Sequence, residues 1–181
     1  MVKEGTDLKK ITEQYMGQGE LVPDAIVVKV VKERLAKEDC KNGYILDGYP
    51  RTIDQAKAAE SFTKLSAIIH LTVPEWIVVE RLSSRRICQR CGHVYNIRFL
   101  KPEKEGICDV CGSQIYQRID DTPKVIQERL GVYATQTRPL LEFYREKIPF
   151  VEFKCERIDI PPEVAVREIL KKLRKLKLNK I

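Results

Sequence analysis

Apolar residues recur along this chain in two rhythms that take turns, one helical and one strand-like. Over 24–38, Val27, Val30, Val31 and Leu35 fall at helical spacing, which predicts an amphipathic helix capped by Asp24. A short apolar run, Tyr44–Leu46, then stops at Asp47-Gly48-Tyr49-Pro50, the pattern of a buried strand entering a turn. Thr52 caps a helix that reaches about Phe62. Ala67–Val73 reads as a second buried strand, and Pro74 opens the next helix at a position where proline is tolerated. That helix runs to Arg85. Helical spacing returns from Pro123 to Lys147 with a break near Pro139; Phe150–Lys154 is a third strand and Pro162–Leu178 a closing helix. Strands alternating with helices predict an α/β domain with a parallel sheet covered on both faces. Ligands of such sheets bind beyond the carboxyl ends of the strands, and Asp47 with the Gly48–Arg51 turn lies at such an end.

One stretch fits neither rhythm. Cys88 and Cys91 form one Cys-x-x-Cys knuckle, Cys108 and Cys111 a second, with sixteen residues between them. Four thiolates at that spacing close tetrahedrally around one Zn²⁺, the pattern of a zinc ribbon. Two disulfides, or four thiols without metal, are the competing readings, and four cysteines suit iron as well as zinc. Glycine follows each knuckle (Gly92, Gly112) and is expected to relieve crowding where the backbone curls around the metal. A four-cysteine shell leaves no open position, so the metal is structural, and His93 stays outside it.

Composition narrows the rest. With 181 residues and 43% hydrophobic content, the chain is one globular domain with a small insert. A net charge of +7 points to anionic partners: nucleotide phosphates, nucleic acid or an acidic surface. Aromatic residues are few and not interleaved with the basic ones, which argues against a nucleic-acid platform. No apolar run resembles a signal peptide or approaches a membrane span, and Cys40 and Cys155 are left over as free thiols, so a reducing cytoplasm is expected. His70 reads as a satisfied core histidine, Trp76 as a packing residue, and Lys171–Lys180 as a solvated basic helix end rather than a nucleic-acid contact.

Several short motifs then agree in order and spacing. Asp47-Gly48-Tyr49-Pro50-Arg51, followed by Gln55, resembles the D-G-[FY]-P-R-x₃-Q motif of adenylate kinases, and Gly19-Glu20-Leu21-Val22-Pro23-Asp24 is similar to their G-x-L-V-x-D segment. Glu80-Arg81-Leu82 and Arg85-Arg86 match the arginines leading into that family's LID, Val94-Tyr95 a pair within it, and Arg118-x-Asp120-Asp121 with Arg129-Leu130 its exit and the next helix. Long-LID members of the family often carry zinc there. The resemblance implies a P-loop nucleoside monophosphate kinase-like core over 1–85 and 119–181, with a zinc-ribbon LID inserted at 86–118. It implies reversible phosphoryl transfer from ATP to AMP, giving two ADP, by a monomer with Zn²⁺ in the LID and Mg²⁺ on ATP.

The resemblance also distributes roles. Arg51 and Gln55 hold the AMP phosphate and base, while Glu20, Leu21, Val22 and Gly48 line the AMP site. Arg81 and Arg85 grip ATP phosphates, with Val94 and Tyr95 near the ATP base. Arg118 and Arg129 clamp the transferring group between the two nucleotides, and Asp47 holds water on Mg²⁺. Arginine suits this work because its planar fork binds phosphate bidentately and stays charged.

One departure is plain. None of the nine glycines is followed by lysine, so the G-x-x-x-x-G-K-[ST] phosphate loop is absent from these residues. Met1-Val2-Lys3-Glu4-Gly5-Thr6 resembles the residues directly after the family's T-G-D-x-x-R element, so a βαβ unit is expected to be lacking. Poor stability and low kinase activity are the expected consequences. A start placed at an internal methionine and a truncated paralogue both account for the pattern. A nucleotide-binding remnant without turnover is the alternative function, and a zinc-ribbon nucleic-acid binder a lesser one.

Overall fold

The computed structural model describes residues 7–176, with side chains from Thr12 onward. The expectation for Met1–Thr6 and the last residues of the basic tail lie outside that range. Among the described residues are seven α-helices: α1 (Asp7–Gln18), α2 (Asp24–Leu35), α3 (Ile53–Ala59), α4 (Glu75–Ser83), α5 (Pro123–Val132), α6 (Leu140–Arg145) and α7 (Pro162–Lys175). Two parallel strands, β1 (Ile68–Thr72) and β5 (Phe150–Lys154), pair in register from Ile68 opposite Phe150 to Thr72 opposite Lys154. A separate antiparallel sheet is built from β2 (Arg85–Cys88), β3 (Val94–Asn96) and β4 (Ile115–Tyr116), in the order β3-β2-β4.

Local chemistry accounts for many boundaries. Thr52 caps α3, its hydroxyl oxygen accepting from the backbone N–H of Gln55 at 3.1 Å. Thr122 caps α5 in the same way through Val125, with Pro123 in the first turn, where its missing N–H costs nothing. The third strand falls on Phe150–Lys154 as the pattern predicts. The long helical region gives way to a π turn at Tyr133–Thr137, earlier than Pro139 alone requires.

The core has two small clusters beside the sheet. Val31 of α2, Tyr49 and Ala59 pack with Val27, Leu35, Leu46 and Phe62; Ala56, Leu140 and Tyr144 pack with Ile53, Leu65, Ile68 and Phe143.

Four expectations change. Tyr44–Leu46 is extended but is not a strand: no strand pairs with it among the described residues. Leu46 turns inward to the α2–α3 cluster, while Ile45 is 88% exposed. A strand exists only through a ladder with a neighbour, and an apolar run does not supply one. The helix from Pro74 stops at Ser83, and Arg85 opens strand β2. Trp76 is 60% exposed, because Ile77, fully buried, takes the inward face of α4. Asp24 lies inside the first turn of α2 and makes no cap; Pro23 precedes it in an extended conformation.

Candidate active site

The ribbon hangs from the end of α4. Asn96 donates from Nδ2 to the hydroxyl of Ser84 at 2.8 Å, and Ile97 N–H reaches the Ser84 carbonyl at 3.0 Å. Within the ribbon the two knuckles repeat one geometry. Gly92 N–H bonds the Cys88 carbonyl at 3.1 Å, and Gly112 N–H bonds that of Cys108 at 2.8 Å. Both glycines sit at φ +72°, a left-handed conformation. A Cβ there would meet nothing within 4 Å, so glycine answers to backbone conformation and not, as expected, to crowding.

The four Cys sulfurs lie within 4.8 Å of one another. Cys88 and Cys111 are 3.4 Å apart and Cys91 and Cys108 3.6 Å, close to the ~3.8 Å edge of a tetrahedron with metal–sulfur bonds of about 2.3 Å. The donor set and spacing fit a tetrahedral Zn²⁺. Backbone N–H of Ser113 and then its hydroxyl hold the Cys111 thiol down to about 6. At Cys91, against a backbone hydrogen bond at His93, desolvation and the surrounding sulfurs push the thiol up to about 12, so the sulfurs share protons that a metal would displace. Tyr95 is buried behind the knuckles, donating to the Cys108 sulfur at 3.4 Å and accepting from Asp109 N–H at 2.7 Å. Desolvation and that sulfur push its phenol up to about 12. Of the pair Val94-Tyr95, therefore, only Val94 is presented at the surface, 48% exposed.

Where the ribbon rejoins the body, three arginines meet two aspartates. Arg85 forks onto Asp121 through Nε at 2.9 Å and Nη2 at 2.7 Å. Arg118 forks onto Asp120 at 2.8 and 2.9 Å. Arg129, from α5, donates to the Asp120 carboxylate at 3.2 Å and its carbonyl at 3.1 Å, and lies 3.5 Å from Asp121. Asp121 is fully buried and Asp120 nearly so. Burial lowers the Arg129 pKa while the two aspartates oppose that shift. Two carboxylates thus hold three guanidiniums, a cluster with surplus positive charge. Arg81 stands apart, donating to the Ile158 carbonyl at 2.9 Å.

The second element is the turn before α3. Gly48 has φ +69°, which calls for glycine; a Cβ there would also lie 2.6 Å from Nη2 of Arg51, so that the exposed arginine head would have to move. Arg51 Nε donates to the Gly48 carbonyl at 2.8 Å and its head is exposed. Asp47 is exposed one residue earlier. Gln55 is 2% exposed, with Oε1 accepting from Arg51 N–H at 2.8 Å and Nε2 donating to Asp24 at 2.7 Å. Across from it, Glu20 is exposed and Leu21 and Val22 are half-buried in the α1–α2 connection.

Two residues outside the expected site prove central to its build. Asp24 joins α2 to α3. Gly19, at φ +77°, lets the α1–α2 connection lie against α5, where a Cβ would come within 3.0 Å of the Val125 carbonyl and 3.3 Å of Arg129 Cγ. Gly19 opens and Asp24 closes the G-x-L-V-x-D pattern, so that signal was present for both; the pattern does not say that Asp24 reaches Gln55.

A family sequence model described as adenylate kinase matches residues 1–148. Among curated proteins, the adenylate kinase of Caldicellulosiruptor bescii is 47% identical over 151 residues, covering 81% of this chain and 70% of that protein. That of Oceanobacillus iheyensis is 47% identical over 161 residues (86% and 75%), and that of Clostridium tetani 46% over 147 (78% and 68%). With its arginine cluster, its Asp47–Arg51 turn and its cysteine knuckles all on the matched stretch, this chain belongs to the adenylate kinase family.

Proposed function

We propose that this chain serves reversible phosphoryl transfer from ATP to AMP, giving two ADP. The observation that carries the reading is the convergence of Arg85, Arg118 and Arg129 on the buried Asp120–Asp121 pair. Phosphoryl transfer needs positioned cations around charge that spreads over the transferring oxygens. Here the cations are preassembled from three elements, with the Arg85 and Arg118 forks held bidentately by carboxylates and Arg129 held through Nη1. Arg118 and Arg129 are assigned to the transferring group, and Arg81 and Arg85 to the ATP phosphates. The exposed head of Arg51 is assigned to the AMP phosphate, Gln55 to its base, with Glu20, Leu21, Val22 and Gly48 as the surrounding wall. Val94 is the ribbon's candidate for the ATP base, with Tyr95 supporting it from behind.

Mg²⁺ with ATP supplies charge neutralisation on the phosphates. Asp47 is the carboxylate assigned to its hydration shell. The four knuckle cysteines are assigned to a structural Zn²⁺ that stiffens the ribbon as a lid over the nucleotides, which excludes water and suppresses hydrolysis. No described helix is long and apolar enough to cross a membrane. A monomer in a reducing cytoplasm completes the reading.

The test is to incubate the 181 residues with ATP, AMP and Mg²⁺ and follow ADP by phosphorus NMR. ADP formed at two per AMP consumed, requiring both nucleotides, and abolished by Arg129→Ala, supports the reading. Because the phosphate-loop motif is not among these residues, turnover by the 181 residues alone is expected to be low. AMP and ATP bound with no ADP formed would instead favour a nucleotide-binding protein without turnover. No binding of either nucleotide would sink both.

A further inference from the structure

We propose that Asp24 is a specificity-determining positioning residue: by fixing which way the Gln55 amide points, it makes the acceptor pocket discriminate 6-aminopurines from 6-oxopurines. The inference rests on the assignment of Gln55 to the acceptor base.

The Gln55 side chain sits between two partners that allow only one orientation. Its Nε2 donates to Asp24 Oδ1 at 2.7 Å, and its Oε1 accepts from Arg51 N–H at 2.8 Å. A carboxylate can only accept and a backbone N–H can only donate, so turning the amide over would set donor against donor and acceptor against acceptor. Asp24 is itself fixed, because its other oxygen accepts from the Thr52 hydroxyl at 2.7 Å. That hydroxyl oxygen in turn accepts from Gln55 N–H at 3.1 Å. Every bond in this ring has a defined direction, and it joins the first turn of α2 to the cap of α3.

What remains on the amide is one N–H and one oxygen lone pair. Adenine offers the complement on its N1–C6 edge, an acceptor at N1 and a donor at N6. Hypoxanthine reverses both, with N1–H and a carbonyl at C6. With the sugar phosphate held by Arg51, the base cannot turn over to restore the match. A freely rotating glutamine would serve either base; a glutamine held by Asp24 together with the Arg51 N–H serves one. Gln55 is 2% exposed, so a polar group of the base that fails to match this pair has no water to turn to.

The experiment is titration calorimetry of the full chain with AMP and with inosine monophosphate, which differ at this edge alone. The unsubstituted chain is expected to favour AMP by roughly tenfold or more. Asp24→Ala removes the acceptor, leaving Arg51 N–H alone to orient the amide, and the ratio is expected to fall several-fold. Asp24→Glu keeps an acceptor-only group and is expected to retain most of the preference at lower affinity. Thr52→Val takes away the second anchor of Asp24 and is expected to lower the ratio part of the way, besides lowering the melting temperature. An unchanged ratio in Asp24→Ala overturns the inference while leaving the acceptor site intact. Should Asp24→Ala fail to fold, the Asp24→Glu and Thr52→Val pair decides: a fall in Thr52→Val with retention in Asp24→Glu supports the inference, and any other result overturns it. No AMP binding by the unsubstituted chain overturns the acceptor-site reading itself, and this inference with it.

Discussion

The ribbon and the parallel strand pair contain β segments of similar apolar character, yet only one of them closes on itself. In the ribbon, three strands of four, three and two residues surround a buried core of Cys88, Tyr95 and Cys108. The strand pairing of the ribbon lies within 85–116, and the knuckles are shaped by their own backbone bonds. In the body, β1 and β5 are longer and well registered, but Ile69 and Leu71 are 42% and 55% exposed, and Ile45 lies nearly bare beside an unpaired run. Tyr44 contributes only a hydroxyl contact with Thr63. Strand length and hydrophobicity are therefore poor guides to local completeness. What matters is whether the partners are close in sequence, because loop closure over long separations must be offset by many contacts.

Metal removal should separate the two regions most sharply. Structural zinc contributes on the order of 10 kcal/mol to the folding of small cysteine modules. Stripping the metal, or Cys108→Ser, is expected to make 85–116 susceptible to protease while α2 and α3 stay protected. Equal protection before and after chelation would show that the ribbon closes without metal.

Next in size is Asp121→Ala at the seam between them. It removes the buried partner of Arg85 and leaves a half-buried guanidinium unpaired, an effect of about 3 kcal/mol in urea unfolding. A loss below 0.5 kcal/mol, on the order of an exposed pair, would mean that solvent already screens the cluster.

A smaller effect belongs to the strand pair. His70 on β1 faces Glu152 on β5, with Tyr133, Thr72 and Phe150 around it and Arg145 near enough to oppose its charging. Burial lowers its pKa below 6.5, against the pull of Glu152. The unfolded chain thus binds the proton more readily, so stability is full above pH 6.5 and declines as pH falls below it toward the folded value. The decline is expected to be under about 1 kcal/mol and to disappear in His70→Gln, read as melting temperature against pH. A rise in stability on acidification would reverse the assignment.

The smallest change is Ile45→Ser. Since Ile45 is 88% exposed, stability should move by less than about 0.5 kcal/mol while light scattering at high concentration falls. A loss of 1 kcal/mol or more would mean that Ile45 is covered in solution.

These contrasts explain what was legible beforehand. Phe150–Lys154, the Thr52 cap and the knuckles depend on neighbours a few residues away, and their patterns read directly. Tyr44–Leu46 read as a strand because its apolar run is real; whether a ladder forms depends on another part of the polypeptide. Trp76 was misplaced because neighbouring positions on a short helix are only about 100° apart in azimuth, and the size of a side chain does not say which one turns inward. The arginine cluster follows from motif register, but nothing in the spacing says that Asp120 and Asp121 are buried beneath it. Asp24 was read as a cap because a capping carboxylate and one that reaches to another helix look identical in sequence.

Gly19 gives the molecule a mechanical coupling. Its missing side chain seats the α1–α2 connection directly on α5, the helix that carries Arg129 into the aspartate cluster. On the proposed assignments, one side of that contact touches the acceptor nucleotide and the other the transferring phosphate. Whatever factor AMP applies through this contact to the arginines' affinity for phosphate, phosphate must apply to the affinity for AMP. The close approach at Gly19 is where such reciprocity has a material path, and a bulkier residue there would alter the path as well as the fit.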